Sequence, residues 1–154
     1  LILDRFCNYN FLQFCTCLCI FKLFFFMQIK IKKKSKSINV FNKPLVDCCN
    51  DPLTGFFRDG QCNTCKEDFG MHTVCVLITE DFLFFSKSVG NDLTTPNAMH
   101  NFKGLKPGDK WCLCASRWKQ AHEAGFAPPV YLESTHLDTL KIIEFNLLQQ
   151  FAIN

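Results

Sequence analysis

The sequence predicts a small α+β domain with two layers, in which helices pack on one face of a three- or four-stranded sheet. Three observations lead to this. Short runs of β-branched and apolar residues alternate with helix-compatible segments between residues 72 and 152. Turn dipeptides mark the junctions between them. With 154 residues the chain is long enough for one domain and too short for two ordinary ones.

Residues 39–46 suit a short opening strand, and Asp-Pro, Thr-Gly and Asp-Gly dipeptides between residues 51 and 60 mark consecutive turns. HTVCVLIT, residues 72–79, reads as a buried strand. Thr79 is placed to cap the next helix, with Glu80 and Asp81 in its first turn and Gly90 as its terminator. Phe82, Phe85 and Val89 would form the core stripe of that helix, and Phe84 lies off it.

The Lys106-Pro107-Gly108-Asp109 turn launches a second strand over residues 110–114, and residues 115–124 continue as a helix ended by Gly125 and Pro128-Pro129. A third strand is expected over residues 130–133. Thr135 and Asp138 resemble a capping box for a helix over residues 136–143, which makes His136 a surface residue of the first turn. A last short helix is expected over residues 146–152. Trp111 and Trp118 are assigned to the core, because one indole buries a large area in so small a domain.

Residues 39–154 are thus read as a single domain, preceded by a basic lead over residues 27–38 and a distinct segment over residues 1–26. Seven of the eighteen Phe lie in the first 26 residues, without helical or strand periodicity. The segment is expected to be non-native upstream translation ahead of a start at Met27. The alternative is a hydrophobic anchor: residues 11–27 are mostly apolar, near the lower length limit for a span, and the lysines that follow would hold the domain on the cytoplasmic side.

The net charge of +3 comes from the basic lead, since residues 38–154 carry ten Lys and Arg against thirteen Asp and Glu. A mildly acidic body without a basic stripe argues against nucleic acid as a partner. A membrane partner is expected only if residues 1–26 are genuine. Of eleven cysteines, seven lie beyond the first segment, an odd number. Cys48 and Cys49 are adjacent, and Cys112 and Cys114 on one strand would sit near the upper Cα limit for a disulfide. They are read as reduced thiols, and the protein as soluble and cytoplasmic.

Three chemistries compete. Cys62 and Cys65 have C-x2-C spacing, and Cys112 and Cys114 add two more sulfurs, so the four could hold tetrahedral zinc. C-x-C on a strand is a weak match, and cysteine often packs as a small core residue. Alternatively, Cys114 is a reactive thiol, with Cys112 as a second candidate. Cys114 stands at the junction of strand and helix, where a helix N-terminus favours thiolate, with Arg117 one turn away. Third, Asp51, Arg58, Asp59, Glu67, Asp68 and His72 form a polar set that could bind a small polar or anionic ligand. In turns, such residues more often satisfy backbone amides and one another. His100 and His122 suggest no role.

The segments DPLTGFFRDG, HTVC, FFSKSVGNDLTTP, GLKPGDKWCLCASRW and APPVYLESTH, in this order, closely resemble the domain-of-unknown-function family 2237, known mainly from bacteria. The resemblance implies a compact α+β domain from about residue 39 to the C-terminus. It also implies that Cys48, Cys62, Cys75, Cys112 and Cys114, with Arg58, Asp59, Asp68 and His72, occupy family positions. Gln61 stands where the family has a cysteine and Cys65 where it has a glycine, which weakens the zinc set. The resemblance brings no substrate, cofactor or partner.

The resulting expectation is a small-ligand-binding or cysteine-dependent domain, its site joining the loops of residues 51–72 to Cys112 and Cys114. The competing readings are a non-catalytic interaction module with core cysteines and a zinc-binding domain.

Overall fold

The computed structural model describes residues 36–153, so the expectations for residues 1–26 and for most of the basic lead lie outside the described residues. Strand β1, Val74–Leu77, pairs antiparallel with β2, Lys110–Leu113. Three α-helices follow the chain: α1, Glu80–Ser88; α2, Ala115–Glu123; and α3, Phe145–Gln150. The domain is α+β as expected, with a two-stranded sheet. Among the described residues, no helix is long and apolar enough to cross a membrane.

The region expected as a third strand pairs only briefly. Val130 bridges Val76 on one side and Ala152 on the other. The Pro129 carbonyl accepts from Leu77 N–H and Tyr131 N–H donates to the Cys75 carbonyl, so this segment lines the open edge of β1. Pro128 and Pro129 carry no amide hydrogen, and the chain tightens into a 3-10 turn at Leu132–Ser134, so no ladder extends beyond this point. The opening segment is also a bridged loop. Asn39, buried, organises it by accepting from Phe41 and Lys43 amides and donating to the Pro44 and Glu133 carbonyls.

Helix α1 begins as its sequence dictates, with Thr79 Oγ1 accepting from Phe82 N–H at 3.2 Å and Gly90 at φ +80° beyond its end. Phe82 is buried and Phe84 is 76% exposed, so the off-stripe phenylalanine faces solvent. Asp92 closes the next turn by accepting from the amides and hydroxyls of Thr94 and Thr95.

The helix expected over residues 136–143 is a 3-10 turn, Leu137–Lys141, and its cap is His136, whose Nδ1 accepts from Asp138 N–H at 3.0 Å. Thr135 is occupied elsewhere: its hydroxyl accepts from Cys75 N–H and donates to the Tyr131 carbonyl. His136 is therefore not a surface residue. It is 1% exposed, with Nε2 at 3.0 Å from the Lys36 carbonyl.

Strand alternation divides the sheet into two unlike faces. Val74, Val76, Trp111 and Leu113 enter the main core with Phe82 and Leu83 of α1, Ala115, Trp118 and Ala121 of α2, and Leu148 of α3. Cys75 and Cys112 face the other way and form a separate cluster with Cys48 and Cys62, against which Tyr131 packs. Loops from residues 48–62 cover that face, fastened by the disulfides Cys48–Cys75 and Cys62–Cys112.

The reading of these four cysteines as reduced thiols is therefore corrected. The pairs that form are remote in sequence, with separations of 27 and 50 residues, which local spacing could not reveal. Closing loops of this length removes on the order of 3–4 kcal/mol of unfolded-chain entropy per bond in the simple loop-closure model, less where loops interleave as these do. The cytoplasmic expectation loses the support that it drew from reduced thiols.

Candidate active site at Cys114

The site begins with a turn that the sequence writes compactly. Asp68 N–H donates to the Cys65 carbonyl and Met71 N–H to the Asp68 carbonyl, which folds residues 65–71 back on themselves. The turn encloses the Asp68 side chain completely. Its Oδ2 accepts from Thr64 Oγ1 at 3.0 Å and from His72 N–H at 2.8 Å, while Oδ1 lies 2.6 Å from His72 Nδ1. A buried carboxylate with three donors is fully compensated.

Cys114 arrives from the other side as the residue that caps α2. Its carbonyl accepts from Trp118 N–H, and its thiol makes no capping bond of its own. The thiol instead lies beside the His72 ring, the two bordering Gly70 together. The two elements are locked at the backbone, because the Met71 carbonyl accepts from Ala115 N–H, the first amide of α2, at 3.0 Å. Met71 holds φ +49°, a left-handed conformation uncommon for a side chain of this size. Gly70 leaves the necessary room: a Cβ there would lie 3.0 Å from both Cys114 Sγ and His72 Cε1.

The electrostatics follow from this chain of contacts. The Asp68 carboxylate, and after it the Cys114 thiol, raise His72 to about 10 against the opposing effect of burial, so its ring is an imidazolium at neutral pH. Burial pushes the Asp68 carboxyl up, but bonds from His72 and Thr64 outweigh it and hold the group below its ordinary value. Nδ1 is committed to Asp68, which leaves Nε2 as the uncommitted ring nitrogen. Cys114 is partly exposed and forms no disulfide. Phe56 lies 6.2 Å from the His72 ring between centroids, and Phe69 is 95% exposed beside the turn.

The other sequence candidates lie elsewhere or serve the framework. Cys112 is bonded to Cys62 and 1% exposed, so it offers no thiol. This pairing also dissolves the four-sulfur set of Cys62, Cys65, Cys112 and Cys114. Cys65 is a free, half-buried thiol whose pKa is raised by burial and by a hydrogen bond with Glu67. Arg58 donates to the Leu53 carbonyl and stacks over Trp111 at 5.2 Å, and Asp59 accepts from Gln61 N–H. Asp51 is exposed, 3.9 Å from Lys103. Arg117 donates to Gln120 along its own helix.

Sequence reasoning placed His72, Asp68 and Cys114 on one surface but did not link them. For Cys114 it offers Arg117 as the nearby cation, whereas the structure sets His72 beside the sulfur. The available signal was the four-residue spacing of Asp68 and His72 around Gly70, a turn-compatible pattern that lets a carboxylate orient an imidazole. Nothing local announces that this turn docks on the start of α2.

Residues 38–152 match the family described as "Uncharacterized protein conserved in bacteria (DUF2237)". No curated protein matches the chain.

Proposed function

The chain belongs to this family of uncharacterised bacterial proteins, and from that premise we propose that it is a cysteine-dependent enzyme with Cys114 as nucleophile, His72 as proton carrier and Asp68 as the orienting carboxylate. The observation that carries the reading is the meeting at Gly70 of the Asp68-bound His72 ring and the Cys114 sulfur. A nucleophile, a base within hydrogen-bonding reach and a third group that fixes the base make up the generalised triad.

The reaction class that suits this set is acyl transfer to water. The Cys114 sulfur attacks a carbonyl carbon and forms a C–S bond, the first turn of α2 offers amide donors to the oxyanion, and His72 gives its Nε2 proton to the departing group. A water molecule then attacks the thioester while His72 takes its proton, and the C–S bond breaks to release the acid and restore the thiolate. Phe56 and the exposed Phe69 favour a substrate with an apolar flank. The cytoplasmic setting expected from the sequence remains part of this reading, because only Cys114 needs to be reduced.

Alkylation tests it. Under native conditions iodoacetamide should modify Cys114 rapidly and leave Cys112 untouched, and Asp68→Asn and His72→Ala should each slow the reaction at Cys114 by about tenfold or more. Equal rates in the wild type and both variants, with all three proteins folded, would reduce Cys114 to an ordinary surface thiol. In the competing reading of an interaction module, exposed Phe69 and Phe84 are the contacts, and alkylation of Cys114 leaves partner binding intact.

A further inference from the structure

We propose that the four disulfide cysteines, once reduced, form a tetrahedral thiolate site for one zinc ion on the sheet face opposite the main core. This set, Cys48, Cys62, Cys75 and Cys112, shares only two members with the set that C-x2-C spacing suggests. The inference stands on the geometry of the cluster and is independent of the chemistry at Cys114.

The two bonds are not isolated staples. The Sγ atoms of Cys48, Cys62 and Cys75 lie within 4.8 Å of one another, although Cys62 is bonded to neither of the others. Four sulfurs around zinc, at bond lengths of about 2.3 Å, stand about 3.8 Å apart, so once the Cys48–Cys75 bond is reduced those two sulfurs need only part by under 2 Å to take their places beside Cys62. The fourth is close by. Cys112 is the register partner of Cys75 across β1 and β2. Cys75 N–H donates to Thr135 Oγ1 and Cys112 N–H to Thr54 Oγ1, so the two face each other without exchanging ladder bonds, the pairing that brings side chains closest. A rotation about the Cys112 side chain would then bring its sulfur to the other three.

The surroundings suit a structural metal. All four residues are at most 5% exposed, and the loops that carry Cys48 and Cys62 cover the sheet face opposite the main core. Reduction without replacement would release that cover. The chemistry balances with a dithiol reductant: each disulfide gains two electrons and two protons and yields two thiols, while the dithiol becomes its own disulfide. Zinc then binds the sulfurs and displaces thiol protons to solvent. Bonded, the four sulfurs fasten the loops covalently. Reduced, they would fasten the same loops through the metal.

The experiment uses the full chain, reduced with dithiothreitol and incubated with zinc chloride, then freed of excess metal and examined by native mass spectrometry. One zinc per chain is expected. Peptide mapping after alkylation should show that zinc protects Cys48, Cys62, Cys75 and Cys112 while Cys114 remains reactive. The double variant Cys65→Ser with Cys114→Ser should retain the metal, and Cys62→Ser should lose it. Should Cys62→Ser fail to fold, the protection map on the wild type still decides. A reduced chain that keeps no zinc, or zinc that protects Cys65 or Cys114 in place of the four, overturns the proposal.

Discussion

Asp68 and His72 stand four residues apart in one turn and meet at 2.6 Å, with the carboxylate fully enclosed and the imidazole bordering Gly70 alongside the Cys114 sulfur. One side of the ring is thereby fixed and the other left for reaction. This asymmetry makes the pair an orienting device, and its electrostatics can be measured separately from any activity.

His72 should give the domain a stability that declines with alkalinity. Its folded value, about 10, lies above the ordinary 6.5, so the folded state holds a proton that the unfolded chain has released between these limits. The stabilisation is complete below about pH 6.5 and is lost as pH rises through about 10. Melting temperatures between pH 7 and 10 should fall in the wild type and flatten in His72→Gln. Identical slopes in the two proteins would refute the ion pair.

Gly70→Ala should disturb the site more than its size suggests. The new methyl would press on Cys114 Sγ and His72 Cε1 together, each at 3.0 Å, so sulfur and ring must separate. Overpacking of this kind costs roughly 1–3 kcal/mol. The expected readout is a slower alkylation of Cys114, by about tenfold, with the fold retained. Adding a methyl at Gly125 meets no neighbouring atom, and although its φ of +82° strains that substitution, Cys114 reactivity there should stay unchanged.

Local rules made much of this architecture readable in the sequence. The cap at Thr79, the stop at Gly90, the start of α2 after Cys114 and its end before Gly125 all depend on neighbours in the chain. What escaped depends on contacts between remote segments. Thr135 has the composition of a helix cap, yet tertiary structure assigns its hydroxyl to Cys75. Cys48 and Cys49 look unbridgeable because they adjoin each other, whereas Cys48 finds its partner in β1. The strand over residues 130–133 has suitable side chains, but the two prolines before it and its 3-10 continuation limit pairing to Val130.

Removing the cap of α1 provides a calibration away from the site. Thr79 Oγ1 accepts one of the first-turn amides, and Glu80 and Asp81 complement the same helix end. Thr79→Ala should cost about 1 kcal/mol, a few degrees in melting temperature, and leave Cys114 alkylation at the wild-type rate. A loss of reactivity would mean that α1 supports the site through the shared core.

His136 should limit stability in acid, with a sign opposite to that of His72. Its Nδ1 must remain unprotonated to accept from Asp138 N–H, and its Nε2 must carry the hydrogen to reach the Lys36 carbonyl, so the buried ring is held in one neutral tautomer. Burial lowers its pKa, against the raising effects of the Lys36 carbonyl and the Asp138 charge. The unfolded chain therefore takes up a proton first as pH falls, and stability should decline below about 6.5, through the lower folded value. His136→Gln removes that titration: stability at pH 7 should fall by about 1 kcal/mol through the lost cap, while the slope between pH 6.5 and 5 becomes shallower. Together the two histidines predict a wild-type optimum near pH 6.5, with His72 governing the alkaline limb and His136 the acid limb. A variant that lost stability at pH 7 yet kept the full slope between pH 6.5 and 5 would show that His136 does not govern the acid limb; Asp68, held below its ordinary carboxylate value, acts only at lower pH.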